Sequence, residues 1–311
     1  MEFDAKWAGE VCKIADGIRL RVLEHTVTQK GGYLCQACSS AEIFAALYHG
    51  LLNLPELETP LMPDPWRGVP GPGNPAVTGI KFNSGGLPGY DRFILSPAQY
   101  ALVLYAALVE TRRMDGEGMR AYNRDGGSVE MIGAEHSPGM EATTGSLGQG
   151  ISHASGIAMA LRLKRQTGRV VVFLSDGECE SGEFWEAVQA AAFHRQDNLL
   201  LLIDRNGCQC DGAMTSVMNI EPFDDRLRAF GCTCLRVPGH DPLALAEAVL
   251  TPHEGRPLAV VCETDPCRGL AFLRTRRPKF HYIRFENEAQ WLETKAFYET
   301  MAKERERIWN F

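Results

Sequence analysis

The strongest constraint on the fold lies between residues 169 and 207. Residues 169–174 read RVVVFL, an apolar and β-branched run that is typical of a strand buried on both faces. Residues 183–193 place apolar side chains at helical spacing, and residues 199–203, LLLLI, form a second apolar run. The order strand, helix, strand indicates a parallel βαβ unit, which predicts an α/β fold with a mainly parallel sheet and helices on both of its faces.

Each of the two predicted strands ends in a polar turn, residues 175–177 after the first and residues 204–207 after the second. Because parallel strands end at the same edge of a sheet, we expect Asp176 and Asn206 to converge although they are far apart in the sequence. Carboxylate and amide oxygens suit a magnesium ion, and the backbone carbonyl of Cys208 could be a third ligand. Asp and Asn are also common in ordinary turns, so the residue types alone leave both interpretations open.

A glycine-rich segment, residues 143–150, precedes the helix predicted for residues 151–164. Glycines at a helix start are consistent with backbone amides that face an anion. Ser146 and Gln149 have the spacing of a capping box, in which side chains satisfy the first helical N–H groups. By itself this pattern is a weak indication of an anion site.

Composition restricts the function classes. The chain has 311 residues and a formal net charge of −7, which argues against nucleic acid as a partner because such proteins present a basic face. No apolar run is long enough to cross a bilayer, and residues 1–6 lack the pattern of a signal peptide, so we expect a cytoplasmic protein without membrane association. The ten cysteines, Cys35 and Cys38 among them, are interpreted as reduced and packed thiols rather than zinc ligands or disulfides.

We interpret residues 1–311 as a single domain. It is expected to start with two helices, the second of them opened by a capping box at Ser39 and Glu42. Residues 62–90 are dense in proline and glycine and are predicted to form an irregular excursion over the surface. A charged helix is predicted for residues 287–307.

The segment from Ser175 to Asn206 resembles the thiamine-diphosphate motif of transketolases, a GDG that is followed further along the chain by an asparagine. Other segments are similar to landmarks of the same family and occur in family order: DRFILS at 91–96, the glycine-rich stretch at 136–150, GEFWEA at 182–187 and GHD at 239–241. The resemblance runs from about Ala8 to about Arg284. It implies the thiamine-diphosphate-binding fold, with thiamine diphosphate and Mg²⁺ or another divalent cation as cofactors.

The resemblance also implies roles for individual residues. The metal would be held by Asp176, Asn206 and the carbonyl of Cys208. The residues expected to bind the cofactor are Gly145, Ser146, Leu147, Ser175, Asp176, Gly177, Glu178, Asn206 and His281.

Several family histidines, which touch the substrate, are replaced in this sequence. Tyr33 and Gln99 stand where two of them are expected, and Glu135 with His136 faces the place of a third, whereas His281 in the PKFH segment 278–281 is kept. The predicted catalytic set is therefore His281, Gln99, Tyr33 and His136.

Each replacement has a structural alternative. Tyr33 could be a packing residue, Gln99 could complete a capping box with Ser96, and His136 could belong to a solvated turn rather than form an acid–base pair with Glu135. Ser181 stands where the family often has a glutamate that links two active sites, which puts such coupling in doubt.

In this cofactor class, a glutamate on a separate pyrimidine-binding domain activates the cofactor, and the sequence ends without a second α/β domain. The resemblance is therefore to the N-terminal subunit of a split transketolase that is active only with a C-terminal transketolase-like partner, in an α2β2 assembly.

The expected reaction is transfer of a two-carbon ketol or acyl unit with a non-standard donor or acceptor in specialised biosynthesis. The alternatives are a decarboxylating enzyme with a 2-oxo acid donor and a carrier-bound acceptor, or a degenerate scaffold subunit. Intact Asp176, Gly177 and Asn206 argue against the scaffold.

Overall fold

The computed structural model describes residues 2–277 and 279–309, and of residues 307–309 it describes the backbone only. Pro278, the first residue of the PKFH segment, lies outside the described residues. In chain order the α-helices are α1 (Ala5–Thr28), α2 (Leu34–Ala46), α3 (Ala101–Glu110), α4 (Gly150–Leu163), α5 (Gly182–Phe193), α6 (Met214–Val217), α7 (Phe223–Ala229), α8 (Pro242–Val249) and α9 (Glu288–Trp309). Shorter 3₁₀ turns include Gly79–Phe82, Ala98–Tyr100, Gly116–Ala121, Glu178–Glu180 and Ala271–Arg276.

The strands are β1 (Gly31–Gly32), β2 (Arg92–Leu95), β3 (Val170–Ser175), β4 (Leu199–Arg205), β5 (Cys208–Gln209), β6 (Gly212–Ala213), β7 (Thr233–Pro238), β8 (Leu258–Glu263) and β9 (Ile283–Arg284). Five of them form one sheet in the order β2-β3-β4-β8-β7, and all of its pairings are parallel. The pairs β1 with β9 and β5 with β6 are short antiparallel ribbons. The predicted parallel βαβ unit is β3-α5-β4.

Helices cover both faces of the sheet, as predicted. Alternate side chains of each strand point to opposite faces, so Val171 and Phe173 pack with α1, α2, α3 and α8 in one buried cluster. Val170, Val172 and Leu174 pack with α4, α5 and α7 in a second cluster. The central strands are buried on both sides, which is why the sequence shows continuous apolar runs there rather than alternation.

The strand register fixes where the turns lie. In the β3–β4 ladder, Val170 pairs with Leu199 and Ser175 pairs with Asp204. Asp176 and Asn206 therefore follow the two strands at the same edge of the sheet.

Helix boundaries show where local sequence patterns gave wrong predictions. Helix α2 begins at Leu34, so Ser39 and Glu42 are not its cap but lie inside it, both buried. The 3₁₀ turn that contains Gln99 has no side-chain cap, and Gln149, the residue before α4, makes no capping hydrogen bond either. Ser39 and Glu42 make tertiary contacts instead, with Asp204 and with Arg19 and His240, and a local pattern does not reveal such contacts.

Other boundaries agree with the sequence. Asp241 caps α8 by accepting hydrogen bonds from the N–H groups of Leu243 at 3.0 Å and Ala244 at 3.3 Å, and Pro242 is the first helical residue. Between residues 62 and 90 the backbone is irregular apart from the turn Gly79–Phe82 and isolated bridges. In the described part of the chain, no helix combines the length and the apolar character that crossing a membrane requires.

Candidate functional site

A cavity of about 250 Å³ lies at the carboxyl edge of the sheet. It is surrounded by the ends of β3 and β4, the 3₁₀ turn 98–100, the start of α2 and the segment before β9. Its lining residues are Cys35, Gln36, Gln99, Tyr100, Leu147, Ser175, Gly177, Glu178, Glu180, Asn206, Cys208, Gln209, Cys210, Pro266, Phe280 and His281.

Asp176 connects the two turns. It is buried, and its Oδ1 accepts from the N–H of Gly177 at 2.9 Å while its Oδ2 accepts from the N–H of Gly207 at 2.7 Å. Burial, reinforced by the charge of Asp204, raises the pKa of Asp176 to about 8. The expected convergence of the two strand ends is present. Asp176 itself borders a smaller adjoining cavity, whereas Asn206 and Cys208 line the larger of the two.

Asn206 has a fixed amide orientation. Its Oδ1 accepts from the N–H of Cys208 at 2.9 Å, and its Nδ2 donates to Asp204 Oδ2 and to the hydroxyl of Tyr100, both at 3.3 Å. Because an amide oxygen has two lone pairs, Oδ1 retains one for a further ligand.

Glu178 joins three parts of the site. Its carboxylate accepts from Ser96 Oγ at 2.5 Å, from the N–H of Ser175 at 2.9 Å and from the N–H of Gly148 at 3.1 Å. The ends of β2 and β3 and the glycine-rich loop are thereby held around one side chain. Burial raises the pKa of Glu178 to about 7, against the effect of these hydrogen bonds.

Asp176, Glu178 and Asp204 are all buried, and none of them forms an ion pair in the described part of the chain. The nearest guanidinium with an electrostatic effect on Asp176, that of Arg205, is paired with Glu221 and Glu263. Buried carboxylates elsewhere in the fold do have an arginine: Glu42 pairs with Arg19, Asp91 with Arg169 and Glu141 with Arg92.

An unpaired buried charge is costly, and this cost is why the pKa values of Asp176 and Glu178 are raised. A divalent cation with oxygen ligands would stabilise the ionised form of Asp176 at this edge of the sheet. No cluster of three or more His, Cys, Asp or Glu side chains in the described residues is arranged to hold a metal. A cation here would therefore depend on the Asp176 carboxylate together with the Asn206 amide and the Cys208 carbonyl, so the donor set fits the predicted metal.

The glycine-rich loop is held by close contacts that exclude side chains. Gly148 has a φ of +88°, and a Cβ there would lie 2.1 Å from Ser181 Oγ. A Cβ on Gly150 would lie 2.3 Å from Ser96 Oγ. The loop therefore sits directly on the turn after β3. Of the three predicted cofactor contacts in this loop, Leu147 lines the cavity, whereas Gly145 and Ser146 do not.

His281 forms the opposite wall of the cavity. Its ring lies edge-on to Tyr33, with the centroids 5.5 Å apart, and Tyr33 in turn lies edge-on to Tyr282 at 5.0 Å. The backbone carbonyl of His281 accepts from Gln36 Nε2 at 2.9 Å. Burial lowers the pKa of His281 and raises that of Tyr33. Tyr33 is thus packed against the site rather than exposed to the cavity.

Of the two remaining predicted catalytic residues, Gln99 and His136, only the first lines the cavity. Gln99 lines the cavity beside Tyr100. His136 does not reach it: its ring stacks on Trp66 with centroids 4.0 Å apart, and its Nε2 lies 3.2 Å from Glu130 Oε1. Of the two interpretations of His136, the structure agrees with the turn rather than with an acid–base pair with Glu135. The predicted placement of His136 with the other catalytic residues is wrong, because the turn directs the imidazole toward the excursion that contains Trp66.

Several lining residues were not predicted from the sequence, among them Gln36, Tyr100 and Phe280. Asp204 was also missed, although it is fully buried and accepts hydrogen bonds from Ser39 and Tyr100. A charged residue that ends an apolar strand was an available signal for Asp204. No local pattern marks Gln36 or Tyr100, because they reach the cavity only through the packing of α2 and the turn 98–100.

Comparison with known proteins gives consistent matches. A family model described as transketolase, thiamine diphosphate binding domain, matches residues 83–269. The chain is similar to transketolase family protein y4mO of Sinorhizobium fredii, with 33% identity over 282 residues that cover 89% of this chain and 90% of that protein. It is also similar to 6-deoxy-6-sulfo-D-fructose transketolase subunit SqwG of a Clostridium species, with 30% identity over 261 residues that cover 83% of this chain and 86% of that protein.

Among solved structures, the transketolase of Campylobacter jejuni has a similar fold. The TM-score is 0.69 at 17% sequence identity, and the match covers 98% of this chain and 48% of that chain. The chain thus spans about half the length of that transketolase. The likeness confirms the α/β fold that the sequence predicted.

Proposed function

The chain belongs to the transketolase family and carries its thiamine diphosphate-binding domain, and from this premise we propose that it is the cofactor-binding subunit of a two-subunit transketolase-like enzyme. The observation that carries the proposal is the group of buried carboxylates that follow β3 and end β4 and that form no ion pair with any described residue. A divalent cation bound with a diphosphate would complete this site.

Asp176, Asn206 and the carbonyl of Cys208 would hold Mg²⁺, and Glu178 would hold the glycine-rich loop and the end of β3 in place around the diphosphate. When bound, thiamine diphosphate would supply the carbon nucleophile for the transfer of a two-carbon unit. His281 and Gln99 line the cavity where a substrate would lie, and burial keeps His281 mainly neutral near pH 7.

The proposed reaction is transfer of a two-carbon ketol unit with a non-standard donor or acceptor. The Clostridium relative is named for 6-deoxy-6-sulfo-D-fructose, which supports a substrate outside the common sugar phosphates. Replacement of family histidines by Tyr33 and Gln99 supports it too, because neither side chain titrates near neutrality.

The proposed partner is a C-terminal transketolase-like subunit that carries the pyrimidine-binding domain and the activating glutamate. The Clostridium relative is named as a subunit, and the Campylobacter jejuni transketolase is about twice as long as this chain. We propose an α2β2 assembly.

Calorimetry of the two-subunit complex with thiamine diphosphate, with and without Mg²⁺, tests the proposal. We expect the wild-type complex to bind the cofactor only with the cation, and Asp176→Ala to weaken binding by more than about 100-fold, beyond what loss of an outer-shell contact costs. Asp197→Ala is the matched control, because Asp197 is an exposed aspartate at the opposite end of β4. Absence of binding by the wild type, or equal binding by Asp176→Ala, would refute the cofactor role and leave the scaffold interpretation.

A second experiment identifies the substrate that donates the two-carbon unit. The loaded complex is offered ketose phosphates, sulfonated ketoses and 2-oxo acids, and the covalent adduct is weighed by mass spectrometry. We expect an adduct from a ketose other than xylulose phosphate. Rapid turnover of xylulose phosphate would contradict the proposed substrate class.

A further inference from the structure

Asp204 is the most highly connected carboxylate at the site and has no role in the assignments above. It is fully buried at the end of β4, on the sheet face covered by α1, α2 and α3. Hydroxyl groups from three different elements donate to it: Ser39 Oγ of α2 at 2.6 Å, the Tyr100 hydroxyl at 2.8 Å and Thr264 Oγ1 after β8 at 2.5 Å. Asn206 Nδ2 is the fourth donor, at 3.3 Å.

The chemistry of these partners dictates the orientation of the Asn206 amide. An ionised carboxylate only accepts hydrogen bonds, so Asp204 requires the NH₂ group of Asn206 to face it. Tyr100 gives its single hydroxyl proton to Asp204, so toward Asn206 its oxygen can only accept. Asp204 and Tyr100 therefore both accept a hydrogen bond from the same group of Asn206. If the amide were flipped, Oδ1 of Asn206 would face the oxygen atoms of Asp204 and Tyr100 without a hydrogen bond.

This orientation of the amide also determines the position of Asn206 Oδ1. With Nδ2 fixed toward Asp204 and Tyr100, Oδ1 must face the turn 206–208, where it accepts from the N–H of Cys208. The same turn is tied to Asp176 through the N–H of Gly207. The free lone pair of Oδ1 thus points into the region where the proposed metal ligands meet.

We propose that Asp204 is a positioning residue for the metal: it fixes the amide of Asn206 so that the oxygen, rather than the nitrogen, is presented to the cation. This inference rests on the proposed function of the site. Residues that orient metal ligands from the outer shell typically change metal affinity by about 10–100-fold when they are replaced. Asp204 differs from a merely structural buried aspartate in that its effect should pass through Asn206.

The test measures Mn²⁺ affinity by electron paramagnetic resonance, on the two-subunit complex in the presence of thiamine diphosphate. In Asp204→Asn, the new side chain can present either its oxygen or its NH₂ group to Asn206, so the orientation is no longer dictated. We expect Mn²⁺ binding to weaken by about 10–100-fold. In the Asn206→Ala background, where no amide remains to be oriented, Asp204→Asn should change the affinity less than about 2-fold.

The outcomes separate the two proposals. If the wild-type complex binds no Mn²⁺ with thiamine diphosphate, the proposed function fails. If the wild type binds but Asp204→Asn binds equally well, only the positioning role fails. The positioning role would also be overturned if Asp204→Asn lowered the Mn²⁺ affinity equally in the wild-type and Asn206→Ala backgrounds, because Asp204 would then act on the fold in general rather than through Asn206.

If Asp204→Asn does not fold, two substitutions that each remove one hydroxyl group test the positioning role instead. Tyr100→Phe and Thr264→Val each remove one donor to Asp204, but only the Tyr100 hydroxyl also contacts Asn206. We expect Tyr100→Phe to weaken Mn²⁺ binding severalfold and Thr264→Val to leave it near the wild-type value. An equal effect of the two substitutions would overturn the positioning role.

Discussion

Tyr33, which was predicted from the family resemblance to stand in place of a substrate-binding histidine, is a packing residue at the wall of the cavity. The phenol ring lies edge-on to His281 on one side and to Tyr282 on the other. Aromatic pairs in this arrangement contribute about 0.5–1.5 kcal/mol beyond the area they bury. At the scale of single residues, Tyr33 therefore supports the wall of the cavity that carries His281.

This arrangement predicts different effects for two substitutions of Tyr33. Tyr33→Phe keeps both ring contacts and should lower kcat/KM by less than about 3-fold, whereas Tyr33→Ala removes support for His281 and should lower it by about 10-fold. Steady-state kinetics of the two-subunit enzyme, with the melting temperature measured in parallel, gives the answer. A loss in Tyr33→Phe as large as that in Tyr33→Ala would mean that the hydroxyl contacts the substrate.

Between secondary-structure elements, Glu42 connects two helices and a loop. It lies inside α2, pairs with Arg19 of α1 and accepts from His240 Nδ1, just before α8, at 2.9 Å. His240 Nε2 accepts in turn from the N–H of Asp265 at 2.8 Å, so the contact extends to the segment after β8 that borders the cavity. The sequence pattern predicted that Glu42 caps a helix, but in the structure Glu42 forms an ion pair with a residue of another helix.

Glu42 gives a prediction for acid stability. Burial alone would raise its pKa, but His240 and Arg19 outweigh burial and lower it to about 2. Because the folded value lies below the unfolded one, the stabilisation is fully present above about pH 4.5 and is lost as the pH falls toward 2. We expect urea unfolding to show a loss of roughly 3 kcal/mol over this range, which Glu42→Gln should remove.

Glu141→Gln is the matched control for this experiment. Glu141 is another buried glutamate with an arginine partner, but burial raises its pKa, so its protonation does not weaken the folded state in acid. The variant should keep the acid-dependent loss of the wild type. An unchanged pH dependence in Glu42→Gln would contradict the assignment.

At the scale of the whole molecule, the chain has an organised cofactor cavity but spans only about half the length of the Campylobacter jejuni transketolase. Leu147, which lines the cavity, is 44% exposed, so apolar surface remains open there. A second subunit that closes the cavity would cover this surface.

We therefore expect the isolated chain to show no ketol transfer and a mixture with the C-terminal transketolase-like subunit to become active. Native mass spectrometry of the mixture should show two copies of each subunit. The Asp176→Ala chain serves as the control, since it should assemble in the same way and yet remain inactive. Turnover by the isolated chain would refute the requirement for a partner.

The fold was largely predictable because its central strands are buried on both faces. That burial produced the apolar runs within residues 169–174 and at 199–203, and the turns after them had to meet because parallel strands end together. The cap at Asp241 is a local interaction with the start of its own helix. The capping boxes predicted at Ser39 and Ser146 are absent, because the position of the helix start there depends on packing.

By itself, the sequence determined the architecture, the family and the convergence of two strand ends at one edge of the sheet, because each of these leaves a periodic or short-range trace. Only the tertiary structure placed His136 against Trp66 and away from the cavity, packed Tyr33 on His281 and surrounded Asp204 with donors from three other elements. The physical reason is that hydrogen-bond orientation and the pairing of buried charges depend on residues far apart in the chain. Those contacts exist only after the helices and strands have packed.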